Sequence, residues 1–309
     1  MIVTVTLNPS LDRTLSVPKL EPGMIHRAQF IRQDLGGKGI NVSRALRALD
    51  IPSRIVGFVG GWTGNALQTG LTAEGFDVRF IKVNGDTRQN LTLLDEASGK
   101  YTKINEPGPT IDSSHILALG NQIAQTILPG DLWTFCGSLP PGSPPDLYSH
   151  LIRQTQERRG LAFLDTSGTP LRHALSALPF VAKINNEEAA ELLGRALDSD
   201  QDMCAAAREI HTRGVRVVAL TRGAQGLVLA MDGEVVTAVP PCVTARSSVG
   251  AGDAAMAGLL WAVLDHCDPA ETARRVVACG TAAAMQEGTT MGDRALISTL
   301  LHQIQITCC

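Results

Sequence analysis

Residues 248–255 read Ser-Val-Gly-Ala-Gly-Asp-Ala-Ala and run straight into the apolar stretch 254–264. Glycines that lead into a helix leave backbone N–H groups free at the positive end of the helix dipole. We therefore predict a helix that begins at Asp253, with residues 250–252 forming an anion site in front of it. Asp253 falls in the first turn, where a carboxylate is placed to take a proton from a hydroxyl that attacks a phosphoryl group.

The position of this stretch in the chain argues against a dinucleotide-binding fold. Gly250-x-Gly252-x-x-Ala255 formally matches the G-x-G-x-x-A fingerprint of that fold. Only 54 of the 309 residues follow Ala255, and their apolar spacing is helical. A dinucleotide fold needs further strand–helix units after its first glycine turn. The remaining alternative for this stretch is a glycine-rich helix start that binds no ligand.

Upstream of this stretch, strand and helix patterns alternate along most of the chain. We predict strands at residues 2–7, 55–59, 78–83, 132–136, 161–165, 181–184, 215–221, 227–231 and 235–239. We predict helices at residues 39–50, 66–71, 145–157, 187–193, 202–212, 253–265, 269–286 and 293–303, so that roughly the last sixty residues are helical throughout. Alternating strands and helices favour a three-layer α/β fold (αβα), with a mostly parallel sheet covered on both faces.

Two segments break this alternation. Residues 13–33 and 88–104 alternate apolar and polar side chains with no helix between them, as half-exposed antiparallel strands do. We predict that they form a small antiparallel β lid over the edge of the main sheet. No repeat, linker or block of charge divides the chain, so we expect one domain over residues 1–309.

Composition and charge exclude several classes of function. Hydrophobic residues make up 44% and charged residues 18% of the chain, as in globular proteins. The formal charge is -3 and aromatic residues are only 4%, so we expect no nucleic-acid partner. The N-terminus carries no signal-peptide pattern and residues 254–264 are too short to span a bilayer, so we expect a cytoplasmic protein without a membrane partner. Seven scattered cysteines without a C-x-x-C pair make a disulfide framework or zinc site improbable.

A second glycine-rich motif lies near the N-terminus. Residues 34–42 read Asp-Leu-Gly-Gly-Lys-Gly-Ile-Asn-Val. The glycines let a ligand approach the backbone, Lys38 supplies a cation, and Asn41 offers a donor and an acceptor at a helix start. The spacing is not that of a Walker A loop, and no Ser or Thr follows Lys38. The alternative is a glycine-rich turn with a solvated lysine.

Two further motifs follow predicted strands. Residues 221–226 read Thr-Arg-Gly-Ala-Gln-Gly, and residues 183–188 read Lys-Ile-Asn-Asn-Glu-Glu. Open α/β sheets bind ligands at the carboxyl ends of their strands, which favours a binding role for both. Each motif alone is weak evidence for ligand binding, because a glycine turn between strands is often structural and Asn-x-x-Glu at a helix start is often a cap.

Together the four motifs resemble the PfkB (ribokinase-like) carbohydrate kinase family, from Asp12 to about Gly292. Residues 250–253 are similar to the family's C-terminal signature and residues 36–42 to its N-terminal one. Residues 221–226 resemble its nucleotide loop, and Asn185-x-x-Glu188 its magnesium-associated element. The segments 6–12, 87–90 and 137–142 resemble the phosphohexose kinase branch, which holds 1-phosphofructokinases, tagatose-6-phosphate kinases and minor 6-phosphofructokinases.

The resemblance implies ATP-dependent phosphorylation of a ketohexose phosphate hydroxyl on a ribokinase-like fold, with fructose 1-phosphate the favoured substrate. It implies Asp253 as the base, with an anion hole formed by Gly250, Ala251 and Gly252. The implied substrate residues are Asp12, Gly37, Lys38, Asn41, Arg88 and Ser138. The implied ATP-binding residues are Lys183, Asn185, Thr221, Gly223 and Gly226. The implied metal residues are Glu188 for Mg²⁺, through water, and Ser247, Val249, Ala283 and Gly288 for a monovalent cation such as K⁺. Family members also often pair through their lid strands, which implies a homodimer.

Alternatives remain open at this point. Tagatose 6-phosphate or fructose 6-phosphate could replace fructose 1-phosphate as the substrate. A kinase of a free sugar or a nucleoside would leave Lys38 and Arg88 with no phosphate to neutralise. A non-catalytic nucleotide-binding protein would not need Asp253 or the glycines before it. Cys136 stands where the branch often carries Ser, and we interpret it as a small buried residue at a strand end.

Overall fold

A ten-stranded sheet forms the middle layer of the protein, which a computed structural model describes from Met1 to Cys309. The strands are, in chain order, β1 (Ile2–Thr6), β2 (Ser10–Val17), β3 (Gln29–Gly36), β4 (Ser53–Gly60), β5 (Asp77–Val83), β6 (Arg88–Asp95), β7 (Lys100–Asn105), β8 (Leu132–Cys136), β9 (Leu161–Asp165), β10 (Val181–Asn185), β11 (Val217–Thr221), β12 (Leu227–Met231), β13 (Glu234–Val239) and β14 (Gln305–Cys308). The helices are α1 (Lys38–Ala48), α2 (Gly61–Ala73), α3 (Ser113–Thr126), α4 (Leu147–Glu157), α5 (Gly168–Leu175), α6 (Asn186–Leu193), α7 (Asp200–Thr212), α8 (Ala251–Leu264), α9 (Pro269–Ala284) and α10 (Arg294–Leu301).

The main sheet is mostly parallel, as predicted. Its order is β14-β13-β12-β11-β10-β9-β8-β1-β4-β5, and every pair from β11 to β5 is parallel. The other three strands add to the β11 edge in antiparallel fashion. Asp232 and Gly233 connect β12 to β13 with φ values of 52° and 83°, the left-handed backbone that a tight hairpin of this kind needs.

Both faces of the main sheet are covered by helices. In β8, Trp133 and Phe135 pack into one hydrophobic cluster while Leu132 and Cys136 pack into the other. A parallel strand that is buried on both faces carries a continuous apolar run rather than an alternating one. These strands therefore present polar side chains chiefly where they end, at the carboxyl edge of the sheet.

The small sheet has the order β3-β2-β6-β7, and its strands occupy the segments that the sequence predicts for the lid. The hairpins β2–β3 and β6–β7 are antiparallel, while the central β2–β6 pair is parallel. The parallel pairing has a simple origin. β2 follows β1 and β6 follows β5, so both hairpins leave the same edge of a parallel sheet in the same direction.

Helix α8 is buried along nearly its whole length, because it packs between α1 and α9. A helix that is apolar all round occupies the interior of a protein rather than its surface. The contact between α1 and α8 brings two glycine-rich motifs together, although more than two hundred residues separate them in the chain. No helix has both the length and the apolar character needed to cross a membrane.

The structure differs from the sequence-based prediction in four features. The C-terminal segment is not helical throughout, because β14 extends the sheet with a mostly exposed strand that lacks a clear alternating pattern. Helix α3 escaped prediction because only two of its residues, Leu119 and Ile123, are buried, and the short α5 was missed in the same way. A single disulfide joins Cys204 on α7 to Cys309, whereas the odd and scattered cysteines indicate no disulfide framework.

Candidate active site

A cavity of about 210 Å³ opens at the carboxyl edge of the main sheet, beside the small sheet. Four of the predicted substrate residues line it, namely Gly37, Lys38, Arg88 and Ser138. Lys38 begins α1 and Arg88 begins β6, so the two cations come from separate elements. The cavity is therefore polar and positively charged, as a pocket for a small anionic ligand must be.

Asp253 lies in the first turn of α8, directly after the glycine run. Gly250 precedes the helix with a φ of 81°, a left-handed conformation that favours glycine, and its carbonyl accepts a hydrogen bond from the amide of Ala254 at 2.8 Å. The Asp253 carboxylate is buried, and its Oδ2 accepts a hydrogen bond from Nδ2 of Asn41 at 2.8 Å. The structure thus joins the two glycine-rich motifs through the side chains of Asn41 and Asp253.

Asp165 is a site residue that the sequence analysis missed. It ends β9, is fully buried, accepts a hydrogen bond on Oδ1 from Nζ of Lys38 at 2.8 Å, and forms an ion pair through Oδ2 with Nζ of Lys183 at 3.0 Å. The only signal in the sequence is an acidic residue that closes the apolar strand Leu-Ala-Phe-Leu-Asp. The pairing holds both ammonium groups at the carboxyl edge of the sheet.

Burial and charge shift the pKa values of these carboxylates in opposite directions. Burial raises the pKa of Asp253 to about 7, and the neighbouring charge of Asp165 adds to that effect. Burial also opposes ionisation of Asp165, but Lys183 and Lys38 outweigh it and lower the pKa of this carboxyl. Burial disfavours the charged form of Lys38, yet Asp165 more than compensates and its pKa is raised. Asp253 is therefore poised to take up a proton near neutral pH while Lys38 stays charged.

Asp12 and Arg88 lie on the neighbouring strands β2 and β6 of the small sheet, and of the two only Arg88 lines the cavity. Oδ1 of Asp12 accepts from Oγ of Ser10 at 2.7 Å and from Nδ2 of Asn90 at 2.8 Å. Its Oδ2 lies so close to Gly36 that a Cβ there would come within 2.2 Å, so a larger residue at this position would displace the Asp12 carboxylate. Burial lowers the pKa of Arg88, and its Nε is buried with no hydrogen-bond partner. An unsatisfied guanidinium donor beside a cavity fits an anionic ligand.

The nucleotide-loop motif forms a tight turn after β11. Gly223 has a φ of 56° and open space around it, whereas a Cβ on Gly226 would come within 2.0 Å of the Ala238 carbonyl oxygen. Gly226 is therefore needed for the turn itself, and Gly223 leaves room above the strand end. Thr221 is the last residue of β11 and pairs with Asn185 at the end of β10, so the two motifs lie side by side.

Lys183 lies between this region and the glycine run at the start of α8. A Cβ on Gly252 would lie 3.5 Å from its Nζ, so the buried ammonium faces the start of α8. Asn185 and Glu188 form a capping box, in which Oδ1 of Asn185 accepts from the amide of Glu188 at 2.8 Å and Oε2 of Glu188 accepts from the amide of Asn185 at 2.9 Å. The motif thus caps the start of α6, and its role in binding a metal stays a prediction.

The side chains at this edge of the sheet suit a divalent cation that keeps most of its water ligands. No group of three or more His, Cys, Asp or Glu side chains is placed to hold a metal ion by itself. Mg²⁺ usually keeps several waters and binds substrate phosphates, so a single nearby carboxylate such as Glu188 suits it.

The residues predicted for a monovalent cation come together only in part. The amide of Ser247 donates to the Ala284 carbonyl at 3.2 Å, which brings Ser247 and Val249 near the end of α9 and Ala283. Gly288 lies against the guanidinium of Arg32, since a Cβ there would come within 1.9 Å of Nη1.

The fold and the site together define a class of protein. A mostly parallel α/β sheet carries a small second sheet, a glycine-rich helix start lies beside a buried carboxylate, and two lysines reach the same edge. This is the arrangement of a ribokinase-like phosphotransferase. Residues 5–295 match the pfkB family carbohydrate kinase, and the chain belongs to that family.

Known relatives agree with this assignment. The chain is 34% identical over 307 residues to the 1-phosphofructokinase of Bacillus subtilis (strain 168), covering 99% of each chain. It is 35% identical over 308 residues to the 1-phosphofructokinase of Haloferax volcanii, covering 99% of this chain and 98% of that protein. Among solved structures, the phosphofructokinase-2 of Escherichia coli in complex with potassium has a TM-score of 0.93 and 31% identity, covering 97% of this chain and 98% of that chain. The predicted family, fold class and enzyme class are confirmed.

Proposed function

We propose that this protein transfers the γ-phosphoryl group of ATP to a hydroxyl of fructose 1-phosphate, giving fructose 1,6-bisphosphate. The observation that carries the proposal is the placement of Lys38 and Arg88 on one small cavity, with Asp253 close enough to Lys38 for its charge to raise the pKa of that lysine. Two cations on one cavity suit a sugar that already carries a phosphate. The name 1-phosphofructokinase, borne by relatives that match the whole chain, supports the same substrate.

Asp253 acts as the general base. ATP supplies the phosphoryl group, while Asp253 accepts the proton of the attacking hydroxyl. A pKa of about 7 lets this carboxylate be ionised at neutral pH and still be basic enough to accept a proton. The amides of Gly250, Ala251 and Gly252 stabilise the negative charge that develops on the transferred group.

Substrate recognition divides between the two sheets. Lys38 keeps donors free besides the one that it gives to Asp165, because an ammonium group has three. Arg88 reaches the same phosphate with a fork of N–H donors, which suits two phosphate oxygens at once. Asp12 and Ser138 bind sugar hydroxyls, and Gly37 lets the substrate approach the backbone.

The nucleotide lies along the ends of β10 and β11. Lys183, Asn185, Thr221, Gly223 and Gly226 bind ATP, with the Lys183 ammonium directed to the phosphates near Gly252. Glu188 acts on Mg²⁺ through water. K⁺ binds near Ser247, Val249, Ala283 and Gly288, a proposal supported by the potassium complex of the Escherichia coli relative.

We further propose that the chain works as one kinase unit, in which residues 13–33 and 88–104 form a lid. The small sheet exposes large apolar side chains, among them Phe30 and Tyr101, which are 60% and 61% exposed. Such side chains suit pairing of two copies through the lid. An Escherichia coli relative is described as tetrameric in its inhibited form. A cytoplasmic location stays a prediction.

A second substrate has support of its own. The Escherichia coli phosphofructokinase-2 has been solved in complex with fructose-6-phosphate, with a TM-score of 0.90 and 30% identity to this chain. Fructose 6-phosphate and tagatose 6-phosphate carry the phosphate at the other end of the sugar. A free sugar or a nucleoside carries no phosphate that Lys38 and Arg88 could bind.

The experiment is an ADP-release assay with MgATP that offers fructose 1-phosphate, fructose 6-phosphate, tagatose 6-phosphate, fructose and a nucleoside separately. We expect the highest kcat/KM with fructose 1-phosphate and no measurable turnover of the unphosphorylated compounds. The matched control is Asp253→Asn, which keeps the shape of the side chain and removes the base. Preference for another ketose phosphate would change the substrate only. Turnover of a free sugar or nucleoside alone, or full activity of Asp253→Asn, would overturn the proposal.

A further inference from the structure

Arg44 lies three residues after Asn41 on α1, and neighbours at this spacing share one face of a helix. Its Nη1 donates to the carbonyl of Leu35 at 2.7 Å and to Oδ1 of Asn41 at 3.3 Å. Its Nη2 faces the carboxylate of Glu74, 3.4 Å from Oε1. Only 14% of the Arg44 side chain is exposed, so these partners rather than solvent hold the guanidinium.

The Asn41 amide connects Arg44 to the base. Its Nδ2 donates to Asp253 at 2.8 Å while its Oδ1 accepts from Arg44. If the amide turned over, its NH₂ group would face a guanidinium, which has donors only, and its oxygen would face a carboxylate, which has acceptors only. Both neighbours therefore favour one orientation, and burial of Asn41 limits replacement of either contact by water.

We propose that Arg44 is a positioning residue for phosphotransfer, which holds the Asn41 amide so that a donor always faces Asp253. The inference rests on the proposed function, in which Asp253 is the base. Leu35 lies near the end of β3, so the same guanidinium also ties the end of the small sheet to the helix that carries Asn41. No sequence motif identifies Arg44.

A fixed donor matters because it favours the ionised form of Asp253 that accepts the proton. The other charged groups facing Asp253 are Lys38 on α1, Asp165 at the end of β9 and Lys183 on β10. A substitution at Arg44 touches none of them directly. Loss of Arg44 should therefore weaken only the Asn41 contribution, so that Asp253 ionises at a higher pH and fewer molecules are competent near neutrality.

The test compares Arg44→Met, Arg44→Lys and the matched control Arg47→Met. Arg47 lies on the same helix and pairs with the same Glu74, but it does not contact Asn41. The assay is kcat against pH, with the ketose that the wild type turns over best. We expect Arg44→Met to lower kcat about tenfold and to move its acidic limb to higher pH, with the KM for ATP unchanged. Arg44→Lys should recover part of the loss, and Arg47→Met should match the wild type.

A double substitution separates positioning from general damage. In an Asn41→Ala background, Arg44→Met should cause no further loss of kcat, because the amide through which Arg44 acts is gone. Additive losses, or equal effects of Arg44→Met and Arg47→Met, would overturn this inference while the proposed function stands. A fully active Asp253→Asn enzyme would instead overturn the proposed function. If Arg44→Met does not fold, Arg44→Gln serves in the same comparison, since it keeps most of the packing without the charge.

Discussion

The ammonium of Lys183 lies 3.0 Å from Oδ2 of Asp165, and neither side chain is more than 5% exposed. Lys38 holds the other carboxylate oxygen of Asp165 at 2.8 Å. One buried acid thus neutralises two cations that the proposed reaction needs at the strand ends. A buried ion pair need not stabilise a protein, but removing one partner is costly because the other is left uncompensated.

We predict that Asp165→Ala lowers the free energy of unfolding by about 3 kcal/mol or more at pH 7. The control is Asp77→Ala, which removes the partner of Arg54 in a half-exposed ion pair and should cost about 1 kcal/mol or less. Chemical denaturation of both variants measures the difference. Because the pKa of Asp165 is lowered in the folded protein, its contribution is present above the unfolded-state pKa and is lost as pH falls through the folded-state value. The loss of stability in Asp165→Ala should therefore shrink as the pH is lowered, and equal losses in the two variants at pH 7 would contradict the prediction.

Asp253 should affect the pH dependence of stability in the opposite direction from Asp165, because its ionised form destabilises the fold. Its pKa rises from 3.8 to about 7 on folding, so between these values the folded state binds more protons than the unfolded state. Stability contributed by this group is therefore fully present at low pH and is lost as pH rises through 7. We predict that Asp253→Asn is more stable than the wild type at pH 8, and that the gain shrinks as pH falls toward 4. The same variant should lose about 10³-fold in kcat.

Thermal unfolding across this pH range, together with kcat measured at pH 8, checks the prediction. Asp12→Asn is a suitable comparison, because Asp12 is a proposed substrate residue on β2 whose carboxylate accepts from Ser10 and Asn90 rather than from Asn41. A lower melting temperature for Asp253→Asn at pH 8 would mean that the carboxylate stabilises the fold after all.

The sequence predicts most of the sheet and the four glycine-rich or cap motifs of the site. Those predictions depend on local patterns: continuous apolar runs for buried parallel strands, and glycine before a helix for an anion site. Asp165 could not be found in that way, because its role depends on β9 lying between β8 and β10. The contact of Asn41 with Asp253 likewise depends on α1 packing against α8, which no periodicity reveals. β14 is a strand because β13 offers it an edge to pair with, rather than because of its own four residues.

Arg88 should act on substrate binding rather than on chemistry. A phosphate that is already present on the sugar keeps its charge from the bound state to the transition state, so the contact contributes equally to both. We predict that Arg88→Ala raises the KM for the ketose phosphate at least tenfold, with little change in kcat or in the KM for ATP. Steady-state kinetics with each substrate varied in turn measures kcat and the two KM values separately. Arg88→Lys should recover only part of the affinity, because an ammonium lacks the planar fork.

The comparison variant for Arg88 is Arg13→Ala, which lies on the neighbouring strand β2 and is exposed. It should bind both substrates like the wild type. If Arg88→Ala instead raised only the KM for ATP, the placement of the sugar phosphate at this cavity would be wrong.

Cys136 lines the cavity, yet it should be chemically inert. Its residue is fully buried, and burial together with the nearby charges of Asp165 and Asp253 raises the pKa of the thiol well above its usual value. The thiolate is the reactive form, so its population at pH 8 is minute. We predict that iodoacetamide labels the exposed Cys242 and Cys308 in the native enzyme and leaves Cys136 unmodified, as read by peptide mass spectrometry. Denatured protein should be labelled at all three positions, and Cys136→Ser should keep wild-type kcat, because nothing in the proposed chemistry uses the sulfur. Rapid labelling of native Cys136 with loss of activity would contradict this prediction. It would show that the cavity exposes an ionised thiol and that Cys136 is a reactive residue of the site.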